Sequence, residues 1–244
     1  MKKIISYFLS IFCVFGLTLS PVFANDDYDA TNYPDGYDSY EQYLNDPDYY
    51  NQDRVKQREG KIAAADSYMK TRALMRVGAS KYLNVTLFPQ ETDYWCSAAS
   101  AQMVIYYLTG TKISQGTLIN EIGAGYTVGG VAKTLRAHTG ASYEAQLTSG
   151  YALGNATTVD IDAGYPLIYN PNAGLLKTGY PITGKTPHYV VGYGYRYNTF
   201  GSTGESYVSY LDPYKYISSA YGKHEISVTN MVKAVNDNTG YYIW

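Results

Sequence analysis

Two cysteines occur in the 244 residues, and Cys13 lies in an apolar run that reads as a removable export signal. Cys96 is therefore the one cysteine expected in the mature protein. No internal disulfide can brace such a chain despite an oxidising destination, so a buried core must hold its fold. The signal reading rests on Lys2 and Lys3, the nearly uninterrupted apolar stretch from Ile4 to Leu19, and the small or aliphatic residues of Pro21-Val22-Phe23-Ala24. Cleavage after Ala24 would leave Asn25 first and a secreted, extracellular protein. The run is short for a membrane span and no second one approaches spanning length, so no stable membrane insertion is expected. Phe12 before Cys13 argues against a lipid-modified cysteine.

Downstream of the signal, composition changes twice. Residues 25–51 are acidic and tyrosine-rich, with eight acids, seven tyrosines and no basic residue between positions 25 and 50. So little aliphatic surface cannot offset the entropy of ordering, and the segment is expected to be disordered. Residues 52–80 form a basic segment with helical propensity, with seven Lys or Arg against three acids over 52–77. Gly78 is placed to cap it. This segment reads as a linker or a pro-segment, and its charge suits association with an anionic cell wall. The net charge of −2 leaves no polyanion-binding footprint, so nucleic acid is not an expected partner.

The packed domain is expected over residues 82–244. Leu83, Val85 and Leu87 alternate as in a strand ending at Pro89. Cys96 to Leu108 lacks Gly and Pro and runs to Gly110, a helix stop. Ser114 can cap a short helix through Ile122, and Val131–His138 reads as a third helix. Strands are expected at Pro166–Asn170, His188–Tyr197, Ser206–Leu211 and Tyr241–Trp244. Helices first and strands later define an α+β domain with segregated lobes.

A cysteine in the first turn of a helix faces the positive end of the backbone dipole and free N–H donors. A nucleophilic thiol also needs a base and a group that orients the base. His188 opens the strand HYVVGYGYRY and shares a face with Val190, Gly192 and Gly194. The two glycines leave room for the Cys96 helix to pack closely. Asp212 ends the next strand ahead of Pro213, within reach of a neighbouring strand's histidine. His138 sits by a helix end, suited to a cationic or capping role, and His224 lies in a polar turn, where solvation accounts for it. No HExxH, CxxC, phosphate loop or GxSxG motif occurs, so no metal or cofactor is expected. The glycine-rich stretch Gly123–Gly130 reads as a connection.

The order Gln90, Cys96, His188, Asp212 resembles the papain-like cysteine peptidases, and the local sequences resemble the peptidase C39-like branch. The matching words are Q90-ETDYW-C96-SAASA, the HYVVGY strand, the LDPY pair and the IDAGYPLIYN segment (Ile161–Asn170). Ser97 stands where many members carry glycine. The resemblance covers residues 82–244 and implies a papain-like α+β fold, with an N-terminal helical lobe carrying the Cys helix against an antiparallel β-sheet lobe. It implies a peptidase acting on a peptide or protein substrate, with Cys96 as nucleophile, His188 as base, Asp212 as orienter and Gln90 in the oxyanion hole. Acyl transfer by the same residues, or a catalytically silent binding or adhesion module, are the alternatives.

Overall fold

The structure, a computed structural model, describes residues 52–72, 79–123, 125–148, 152–181, 184–197 and 205–244. The expected signal, the acidic segment and the Gly78 cap lie outside these residues. Among them no helix is long and apolar enough to cross a membrane.

Helix α1 (Gln52–Arg72) precedes the short strand β1 (Ser80–Tyr82). Residues 83–90 then run extended without a ladder of their own, so the expected strand ending at Pro89 is not formed. Its alternation is nonetheless real: Leu83 and Val85 are buried while Asn84 and Thr86 face solvent. Three helices follow where expected. Helix α2 (Cys96–Thr109) ends at left-handed Gly110, and α3 (Gln115–Ile122) is capped by the Ser114 side chain, which accepts from Thr117 N–H. Helix α4 (Val128–Thr139) starts three residues before the expected position, because the Thr127 hydroxyl caps it by accepting from Gly130 N–H. The glycine-rich stretch is thus partly the first turn of a helix.

Among the described residues seven antiparallel strands make the sheet, six of them in the order β2 (Ala145–Leu147), β7 (Tyr241–Ile243), β3 (Leu167–Tyr169), β4 (Val190–Tyr197), β5 (Ser206–Asp212) and β6 (Gly222–Ser227). Strand β1 continues along β4 beyond β3, pairing Tyr82 with Gly194 and Ser80 with Arg196. Gly192 and Gly194 are required here for a reason other than the expected approach of the Cys helix. A β-carbon at Gly192 would come within 2.7 Å of the Tyr169 ring, and one at Gly194 within 2.5 Å of Tyr82. The glycines make room for tyrosines of adjacent strands.

The lobes are less segregated than expected. Helices α5 (Leu153–Ala163) and α6 (Val228–Asn238) interleave with the strands and pack on them. Helix α5 has weak intrinsic propensity, with a glycine and several β-branched residues, and tertiary packing decides it. Leu153, Ala156 and Ile161 are fully buried, and the Thr157 and Thr158 hydroxyls bond back to the Leu153 and Gly154 carbonyls. In α6, Met231, Ala234 and Val235 supply the buried face, and Ser227 caps the start.

Helix α1 is docked on this domain rather than strung ahead of it. Ala65 and Met69 are buried, and α1 packs against α5. Arg54 and Arg58 pair with the buried Glu144, which Arg136 of α4 also approaches. Lys61 Nζ lies 3.7 Å from Asp160 and 4.4 Å from the centre of the buried Trp244 ring. Three of the cations expected to suit a cell wall therefore point into the protein. Burial lowers the pKa of Lys61 and raises that of Asp160 from 3.8 to about 6, against the opposing pull of each partner's charge. The native carboxyl takes up a proton more readily than the unfolded chain, so stability falls as pH rises from about 4 to about 6. Asp160→Asn should flatten that slope in urea melts run across this range; an unchanged slope would contradict the assignment.

Candidate active site

The site is assembled where the start of α2 meets the ends of β4 and β5. Its entry loop, residues 89–95, carries little regular structure, and two buried glutamines fix it. Gln115 of α3 donates to the Pro89 carbonyl at 2.9 Å and accepts from Glu91 N–H at 2.9 Å. It also donates to Gln102 of α2 at 3.1 Å. On the opposite side, Gln90 N–H donates to the Pro213 carbonyl at 2.8 Å, which ties the loop to the residue after Asp212. Tyr216 adds a bond from its hydroxyl to the Glu91 carbonyl at 2.9 Å.

The loop delivers Cys96 as the first residue of α2. Trp95 occupies the cap position with φ −97° and ψ 26°, and no side chain caps the first turn. Its N–H donors therefore stay uncovered by any capping group, as an anion-stabilising turn requires. The Gln90 side chain is fully buried. One of its amide hydrogens goes to the Thr92 carbonyl at 2.7 Å, and the same carbonyl receives Trp95 N–H at 3.4 Å. The second amide hydrogen remains available, and Oε1 has no hydrogen-bond partner among the described residues.

His188 lies two residues before β4, not within it. A bridge pairs Pro187 with Asn172, and His188 N–H donates to the Pro171 carbonyl at 3.1 Å, so the histidine is pinned by the segment leaving β3. Asp212 ends β5, beside the Val191–Leu211 pair of the β4–β5 ladder. Its carboxylate is 0% exposed and accepts from His188 Nε2 at 2.9 Å and Tyr214 N–H at 2.9 Å. Tyr180, a residue the sequence reading did not single out, completes the set. Its hydroxyl lies 3.0 Å and 3.1 Å from the two Asp212 oxygens and 3.0 Å from His188 Nε2. Tyr180 is one of thirty tyrosines, and no local pattern marks it.

With Nε2 engaged by Asp212, Nδ1 is the ring nitrogen left to serve the thiol. Burial works against a charged imidazole here, but the charge and hydrogen bond of Asp212, with a smaller contribution from the Cys96 thiol, hold His188 up at about 10. The imidazolium is therefore the form favoured at neutral pH. The other histidines are separated from this chemistry. His138 pairs with Glu121 at 2.6 Å, and His224 lies in β6, not in a turn, with Nε2 2.6 Å from the Ala220 carbonyl.

A thiol at an uncapped helix start, an imidazole beside it and a buried carboxylate behind the imidazole bring together the kinds of group that nucleophilic chemistry needs. The chain belongs to the Peptidase_C39 like family, whose model matches residues 82–241. Its mixed helices and antiparallel sheet are the papain-like α+β fold expected of that family, with α5 and α6 interleaved as described. Two solved structures are similar at low identity. One is the crystal structure of a double glycine motif protease from an AMS/PCAT transporter in complex with the leader peptide, 17% identical over 67% of this chain and 91% of that one, with a TM-score of 0.36. The other is the peptidase domain of Streptococcus ComA, a bi-functional ABC transporter involved in a quorum sensing pathway, 20% identical over 66% and 97%, with a TM-score of 0.40. No curated protein matches the chain.

The dominance of Asp212 over burial at His188 is open to direct measurement. In a Cys96→Ala background, where the thiol contributes nothing, His188 should still titrate above 6.5, and Asp212→Asn should drop it below 6.5, read by NMR titration of the imidazole. A value that stays high would assign the shift to another group.

Proposed function

We propose that the protein is an exported cysteine peptidase that cleaves peptide bonds through an acyl-thioester on Cys96. The observation that carries this reading is the contact chain Cys96–His188–Asp212, buried at its carboxylate end and opening at the thiol, which is half-exposed. The proposed sequence of steps follows from which atoms are free. Cys96 Sγ, as thiolate beside the imidazolium, attacks the scissile carbonyl carbon. The carbonyl oxygen takes the negative charge and is met by Cys96 N–H and the remaining amide hydrogen of Gln90. Collapse of this intermediate breaks the C–N bond, and Nδ1–H gives its proton to the departing amine. Nδ1, now a lone pair, then draws a proton from water as that water attacks the thioester; the C–S bond breaks with its electrons on sulfur, releasing the acid and restoring the thiolate–imidazolium pair.

Cys96→Ala and His188→Ala should each abolish cleavage in a peptide-library assay; Cys96→Ala should leave the thermal midpoint near that of the unmodified protein, whereas His188→Ala should lower it, because it strips the buried Asp212 of its cation. Gln90→Ala should lower kcat about a hundredfold, the worth of one oxyanion donor (roughly 3 kcal/mol), while Cys96 remains open to alkylation. Cleavage by the Cys96→Ala protein would end the reading. A product joined to an added amine, in place of hydrolysis, would redirect it to acyl transfer.

Export is part of the proposal and is supported by the N-terminal pattern of Lys2-Lys3, the apolar run and Ala24. Sequencing the N-terminus of the protein recovered from culture medium should return Asn25. Recovery only from cells with Met1 retained would contradict it.

A further inference from the structure

We propose that Tyr180 is a positioning residue for the Cys96–His188 pair, its hydroxyl fixing both the orientation of Asp212 and the hydrogen on His188 Nε2. This rests on His188 being the base. The argument is one of hydrogen counting. Asp212, ionised, can only accept, and it lies 2.9 Å from Nε2 and 3.0 and 3.1 Å from the Tyr180 oxygen. Both neighbours must therefore bring their hydrogens to it. The Tyr180 hydrogen goes to the carboxylate, shared between its two oxygens, and its lone pairs then face Nε2 at 3.0 Å. An Nε2 lone pair would confront the carboxylate directly, so Nε2 keeps its hydrogen whether the ring is charged or neutral. The neutral ring is thereby confined to the tautomer whose lone pair is on Nδ1, the atom that must exchange protons with thiol, leaving amine and water.

A second consequence concerns motion. Nδ1 must serve the thiol first and the leaving group next, which requires the ring to shift within its pocket. As the ring tilts, Nε2–H can pass between Asp212 and the Tyr180 oxygen without losing a partner. The Tyr180 phenol is suited to this because burial first, and the Asp212 charge second, raise its pKa and keep it protonated. Its ring also packs 5.3 Å from the His188 centroid and 5.4 Å from Tyr214, which screens the pair from water.

Tyr180→Phe separates hydroxyl from ring, because the packing is kept and the hydroxyl alone is lost. In the full secreted chain, acting on a fluorogenic peptide that the unmodified enzyme cleaves, kcat should fall about ten- to hundredfold with KM unchanged, the effect of losing one hydrogen bond to a charged group. The Nε2–H proton resonance should shift, and the double variant with Asp212→Asn should lose no more activity than Asp212→Asn alone. Unchanged kcat with an unmoved resonance, or losses that multiply in the double variant, would overturn the proposal. If Tyr180→Phe does not fold, fluorotyrosine at position 180, which keeps the side chain's shape, must move the same resonance. His188→Ala distinguishes the two readings: cleavage without His188 would refute the catalytic assignment, whereas the resonance test of Tyr180 reads positioning directly.

Discussion

A carboxylate removed from water must be met by donors and a cation or it will not stay ionised, and Asp212 imposes that condition on the whole site. Three elements converge to meet it. The strand ladder brings β5 beside β4, the Pro187–Asn172 bridge holds His188 at the mouth of β4, and the turn after Pro213 directs the Tyr214 amide back onto the carboxylate. The bond from Gln90 N–H to the Pro213 carbonyl then brings the loop leading to Cys96 to the same place. Side chains drawn from distant points of the chain are thus gathered around one buried charge. Removing Tyr180's hydroxyl or the imidazole subtracts from that satisfaction before it touches chemistry, which is why positioning and catalysis are hard to separate at such a centre.

The domain contains a second buried ionic cluster, and the contrast is instructive. Glu144 and Asp160 are buried like His188 and Asp212, yet they face arginines and Lys61 of α1 instead of a cysteine. Neither joins a nucleophile, and their perturbed titration has a structural cause: burial of side chains that fasten one helix to a domain. A shifted pKa marks a functional centre only when the shifted group faces a reactive atom. His188 faces a thiol, and Asp160 faces only the cation that fastens α1.

Much of this was legible in the sequence because it depends on local signals. Gly110 and Ser114 set helix ends through caps that act within a turn, and those limits fall where expected. The positions of Cys96 at a helix start and Asp212 at a strand end could be read for the same reason: they sit beside residues that stop or start an element locally. What escaped the sequence was decided by distant partners. Helix α5 forms because Leu153, Ala156 and Ile161 find a sheet to cover, against their local preferences. Gly192 and Gly194 suggested an approaching helix, whereas the crowding groups are Tyr169 and Tyr82, whose positions depend on strand register. Tyr180 carried no mark at all; only the fold distinguishes it from its many counterparts.

Helix α1 bears on how the N-terminal region should be understood. It lies before residue 82, where the family match begins, yet Ala65 and Met69 are buried and Arg58 is nearly so. A segment that inhibits by covering a site must reach that site, and the contacts of α1 run instead to α5, Glu144 and Trp244. Strand β1, which follows it, pairs with the Gly194–Arg196 end of β4, at the far end of that strand from His188. Removing α1 would take away the cations that face Glu144 and Asp160 and the apolar surface that Ala65 and Met69 bury, both contributions to the stability of the domain. The physical boundary of the folding unit therefore falls before α1. Its basic residues fasten it to the domain through Glu144 and Asp160, so α1 is part of that unit and not a strand of chain ahead of it.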